Sequence, residues 1–133
     1  MSEGTRSLVR SRADGRCEYC RLPDDADEWP FHVEHIVAKQ HGGDNHLDNL
    51  CWACIRCNVH KGTNLASIDP KMGWQADLFD PRGQHWSEHF ALRDEQIVDL
   101  TSTGRCTVRL LAMNDQSRVD LRRELIENGT YQV

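Results

Sequence analysis

Two Cys-x-x-Cys pairs constrain this chain more than any other feature: Cys17-Glu-Tyr-Cys20 and Cys54-Ile-Arg-Cys57. Each pair sets two thiolates on one tight knuckle, and two knuckles complete a tetrahedral zinc site. Such a site has no open position for water or substrate, so it holds a fold and does no chemistry. Cys51-x-x-Cys54 has the same spacing as Cys54-x-x-Cys57, so spacing alone leaves the second knuckle open between them. The N-terminus, Met1-Ser-Glu-Gly-Thr-Arg, has no apolar signal-peptide core. Six cysteines in that context suggest metal rather than disulfides, and a cytoplasmic location is expected. A structural zinc can contribute on the order of 10 kcal/mol of folding free energy, comparable to the whole stability of a small domain.

The 133 residues are enough for one domain with a real core, not for two large independent ones. No apolar run approaches the length of a membrane span. The formal net charge of −5 argues, taken alone, against a nucleic-acid partner. Its distribution softens this: Arg6, Arg10, Arg12, Arg16 and Arg21 form a locally basic stretch, followed at once by acidic Asp24-Asp25-x-Asp27-Glu28. A basic face on an acidic protein can still touch phosphates, and Arg10 is the expected contact there.

Thr5 to Ala13 reads as a short helix ended by Asp14-Gly15. Phe31 to Val37 alternates, with Phe31, Val33, His35 and Val37 on one side, and so reads as a strand. Gln40 to Asp48 is a loop, Asn49 to Ala53 a return strand, and Cys54 to Lys61 a knuckle running into a helix stopped by Gly62. Thr63 to Gly83 reads as a loop pinned by Trp74, Leu78 and Phe79. His85 to Leu92 and Gln96 to Leu100 read as two strands, and Thr103 to Met113 as a helix. A last helix follows a cap at Asn114 or Asp115 and stops at Gly129.

Between the knuckles lies an ordered polar set. Phe31-His-Val-Glu-His35 is followed by Gly42-Gly43, then Asn49-Leu50, then Cys57-Asn58. This arrangement resembles the HNH endonucleases, whose site is a β-hairpin and a helix gripping one catalytic metal. The resemblance spans roughly residues 6–62. It implies an α+β fold with a ββα-metal core stapled by a four-cysteine zinc site, and a C-terminal β-hairpin plus two helices packed on that core. The expected division is residues 1–66 for the core and 67–133 for the extension.

The resemblance also assigns roles. The family's spacing selects Cys54 over Cys51 to open the second knuckle, so the zinc ligands are Cys17, Cys20, Cys54 and Cys57. Cys51 and Cys106 are then buried apolar residues. His35 would be the general base that deprotonates water, and Asn49 would hold the His35 side of the hairpin. Glu34 and Asn58 would bind the catalytic divalent ion. The family more often carries Asp before the histidine; here it is Glu34.

Oxygen donors of this kind suit Mg²⁺ or Mn²⁺ better than Zn²⁺. His60 could add a nitrogen ligand, but it lies two positions past Asn58, on another face of an ideal helix, and reads better as a phosphate contact or a surface residue. Lys39 and Lys61 bracket the site and are expected phosphate contacts. One tension is internal to this reading: alternation puts Glu34 and His35 on opposite faces of the strand. The implied activity is metal-dependent phosphodiester hydrolysis, with double-stranded DNA as the expected substrate. The competing reading is a zinc-knuckle nucleic-acid-binding module without catalysis.

Overall fold

The computed structural model describes residues 1–133. Helix α1 (Glu3–Arg12) begins where the Ser2 hydroxyl accepts from the Thr5 amide. Glu3 in its first turn and Arg10 and Arg12 in its last complement the helix dipole. Asp14 and Gly15 then take positive φ and turn the chain into the first knuckle. Strands β1 (His32–His35) and β2 (Leu50–Ala53) pair antiparallel, with Glu34 opposite Cys51 and His35 opposite Leu50. Helix α2 (Ile55–Lys61) follows β2 directly, capped by the Cys54 sulfur, which accepts from the Cys57 amide. Two strands and a helix in this order form the ββα unit within an α+β fold.

The second half differs in two places from the sequence expectation. The stretch 63–83 is not wholly a loop, because β3 (Ala66–Ile68) and β4 (Gln75–Asp77) pair antiparallel within it. Strands of three residues are too short to show alternation, and the Asp69-Pro70 turn between them hides the pairing. Trp74 does not pin this segment to the core: it is exposed and donates its indole N–H to the Ser102 hydroxyl, whereas Leu78 and Phe79 are buried.

The stretch 85–92 begins as a helical turn, α3 (Trp86–His89), and only then becomes β5 (Phe90–Arg93). Trp86 and Phe90 are four apart and both buried, a helical rather than an alternating spacing. Strand β6 (Gln96–Asp99) pairs with β5 across a turn in which Asp94 takes positive φ. Helix α4 (Ser102–Leu110) is capped by the Thr101 hydroxyl, and α5 (Gln116–Glu127) closes the fold before Gly129, which takes positive φ.

One apolar cluster runs through both halves, from Val9, Tyr19 and Trp52 to Phe79, Phe90, Leu111 and Met113. Polar ties reinforce it. The Trp86 indole donates to Tyr19 O at 2.7 Å and the Tyr131 hydroxyl donates to Cys20 O at 2.7 Å. Glu18 accepts from the Trp52 amide and pairs with Arg82. No helix is long and apolar enough to cross a membrane.

Candidate functional site

The four sulfurs of Cys17, Cys20, Cys54 and Cys57 all lie within 4.8 Å of one another, and all four residues are buried. The Cys20 and Cys54 sulfurs are 3.7 Å apart. A tetrahedron with Zn–S bonds of about 2.3 Å has edges near 3.8 Å, so this cluster fits a zinc ion. Cys51 is outside the cluster; its thiol donates toward Glu34 at 3.3 Å. Burial pushes the Cys17 and Cys57 thiols well up from their ordinary values, whereas hydrogen bonds with the neighbouring sulfurs pull Cys20 down; a cation held there would make four thiolates tolerable.

Arg118, on α5, brings a positive charge against the cluster. It donates to the Cys57 sulfur at 3.0 Å, and its other amino group donates to Leu111 O and Ala112 O. Burial opposes the Arg118 charge, but Cys57, Cys20 and Cys54 outweigh that and hold the guanidinium above its ordinary value. Sequence spacing carries no signal for this contact, which joins residues 61 positions apart.

The hairpin between the knuckles carries the candidate chemistry. His35 ends β1 half-buried, and its Nε2 lies 2.8 Å from the Asn45 side-chain oxygen. Asn45 sits in the connecting loop and is not among the site residues expected from the sequence. No spacing rule distinguishes it from its neighbours Asp44 and His46.

Asn49 uses its whole side chain. Its oxygen accepts from the Val37 amide at 2.9 Å, and its amide donates to Val37 O at 3.0 Å and Asp44 O at 2.9 Å. The backbone bond from the Ile36 amide to Asn49 O, 2.9 Å, completes the clamp on the residues just past His35. Asn58 is half-exposed on α2, and His60 and Lys39 are exposed. Arg10 is exposed but already ion-paired, with its guanidinium 2.6 Å from Asp24.

Two placements depart from expectation. Lys61 is 2 % exposed, so it does not reach a phosphate at the surface. Its ammonium lies 3.5 Å from Glu34 Oε1 and donates to Ile36 O at 3.0 Å. Glu34 is 5 % exposed, pointing inward with Lys61, Cys51 and Tyr19 around its carboxylate. Burial raises the Glu34 carboxyl above its ordinary value, and the Lys61 charge pulls it partly back. The pleat puts the His35 ring on the other side of the strand. The Glu34 carboxylate thus faces Lys61 and Cys51 in the interior, whereas Asn58 is half-exposed on α2. The four cysteines are the only group of three or more His, Cys, Asp or Glu side chains close enough together to hold a metal.

The HNH endonuclease family model matches residues 17–64. The Septu protein PtuB of Bacillus thuringiensis is 25% identical over 122 residues, covering 90% of this chain and 45% of that protein. The chain thus spans about half the length of that relative. No solved structure matches.

Proposed function

We propose, from the match of residues 17–64 to the HNH endonuclease family model, that this chain hydrolyses phosphodiester bonds in nucleic acid, with double-stranded DNA as its substrate. The observation that carries the reading is the mounting of His35. Its imidazole ends a strand, with Nε2 on Asn45 and the following backbone clamped by Asn49.

With the Asn45 oxygen as acceptor, the ring donates Nε2–H and keeps Nδ1 free to take a proton from water. A histidine so oriented is a general base near neutral pH, worth about 10²–10⁴ in rate. Asn49 acts through the hairpin, keeping β1 and its loop in register around that ring. A zinc held by Cys17, Cys20, Cys54 and Cys57 would supply no chemistry of its own; those residues would use it to join the first knuckle to α2 and so fix where the hairpin sits.

Dependence on Mg²⁺ or Mn²⁺ is part of this proposal, with half-exposed Asn58 as an oxygen donor and Lys39 and His60 as phosphate contacts. Supercoiled plasmid incubated with Mg²⁺ or Mn²⁺, and in parallel with EDTA, tests it on wild type and His35→Ala together. Nicking by wild type that EDTA and His35→Ala both abolish supports the reading. Retarded plasmid mobility without cleavage, or equal cutting by His35→Ala, would overturn it.

A further inference from the structure

We infer that Glu34 and Lys61 are positioning residues for His35, and that Glu34 is not a ligand of the catalytic divalent ion; this rests on the nuclease reading above. The Lys61 ammonium touches both sides of the histidine at once. It pairs with the carboxylate of the residue before His35 and donates to the carbonyl of the residue after it. Lys61 is on α2, three positions past Asn58, so the pair ties the strand carrying the base to the helix carrying the Asn58 amide.

Burial makes the tie selective. The ammonium and the carboxylate are each almost wholly shielded from water, and an unpaired charge at either position would be costly there. The remaining contacts close the pocket, with Cys51 on Glu34 Oε2 and the Tyr19 hydroxyl beside that thiol at 3.7 Å. Glu34 Oε1 accepts no hydrogen bond, but the Lys61 charge already stands 3.5 Å away. A divalent ion on Glu34 would bring a second cation against that ammonium, whose side chain is 2 % exposed.

Three substitutions separate positioning from ligation. Glu34→Asp withdraws the carboxylate from Lys61 by about one C–C bond while keeping the charge that a ligand needs. Glu34→Gln removes the charge, and Lys61→Met removes the other half of the pair. Cleavage rate against Mn²⁺ concentration is measured for each, with zinc content and circular dichroism confirming the fold. All three should cut at least about tenfold more slowly at saturating Mn²⁺, the scale of a misplaced base, with the half-saturating Mn²⁺ concentration unchanged. The double variant Glu34→Gln with Lys61→Met should recover part of the rate lost by Glu34→Gln, because no buried charge is left unpaired.

A ligand role predicts the reverse. Glu34→Asp would then cut as well as wild type, Glu34→Gln would need far more Mn²⁺, and Lys61→Met would match wild type; that pattern would overturn the inference. A second readout needs no cleavage. Long-range ¹⁵N–¹H spectra of the imidazole should show His35 as the Nε2–H tautomer in wild type and a tautomer mixture in Glu34→Asp and Lys61→Met. Unchanged His35 signals in both variants would refute positioning even if wild type does not cut, the outcome that would refute the nuclease reading instead. Should Glu34→Gln fail to fold, Glu34→Asp carries the same decision.

Discussion

Replacing Gly43 by alanine should damage the site through space alone. A Cβ at Gly43 would stand 1.7 Å from Val37 O and 2.6 Å from Val37 C. Both atoms are backbone, so no side chain can swing aside. Opening the contact from 1.7 to the 3.0 Å at which the same Cβ would meet Ala38 O requires a shift of about 1.3 Å.

Val37 O is the carbonyl that receives the Asn49 amide, and the Val37 amide donates back to Asn49. Losing both bonds costs about 2 kcal/mol, at roughly 1 kcal/mol each. Overpacking adds about 1–3 kcal/mol. The sum, about 3–5 kcal/mol, is a large share of the roughly 5–15 kcal/mol that holds a domain of this size folded.

Gly42→Ala is the control. Gly42 has φ +89, but its new methyl would meet nothing within 4 Å, so only backbone strain of about 1–2 kcal/mol applies. Urea unfolding with zinc present gives the stabilities, and plasmid nicking gives the rates. Gly43→Ala should lose more of both than Gly42→Ala. Equal or smaller losses at Gly43 would show that the loop does not hold the strand end as described.

Arg118→Met should leave the chain folded with zinc bound but release the metal to a chromophoric chelator more readily, by about 10–100-fold in apparent affinity, since a partner of the ligating sulfurs is removed; unchanged competition curves would argue against the Arg118–Cys57 contact. Asp69 gives a pH prediction. Burial opposes its charge, but the Ser102 hydroxyl, the Lys71 and Met72 amides and the Arg105 guanidinium outweigh that and hold its carboxyl well below the usual carboxylate range. Its folded pKa is depressed, so its contribution is full above the unfolded value of about 3.9 and lost as pH falls through the lower folded value. The stability gap between wild type and Asp69→Asn, from urea unfolding at successive pH values, should be constant near neutrality and close only below about pH 4. A gap that widens on acidification would reverse the assignment.

The parts of this protein that its sequence determines are those governed by local spacing. Paired Cys-x-x-Cys spacing marks a zinc site because thiolates so placed share one knuckle; the family resemblance picks Cys54-x-x-Cys57 over Cys51-x-x-Cys54, and the four sulfurs do converge. The hairpin, α2 and its stop at Gly62 follow from alternation, a cap and a breaker within a few residues of one another.

Tertiary packing decided the rest. Alternation shows that Glu34 and His35 face opposite ways, but not which face is the interior. Packing of α2 against β1 settled that, and it turned Lys61 from a surface cation into the buried partner of Glu34. Asn45 meets His35 only because the loop folds back over ten positions, and Arg118 meets the zinc cysteines from 61 positions away. Such contacts depend on where distant elements come to rest, and no short-range pattern in one sequence encodes that.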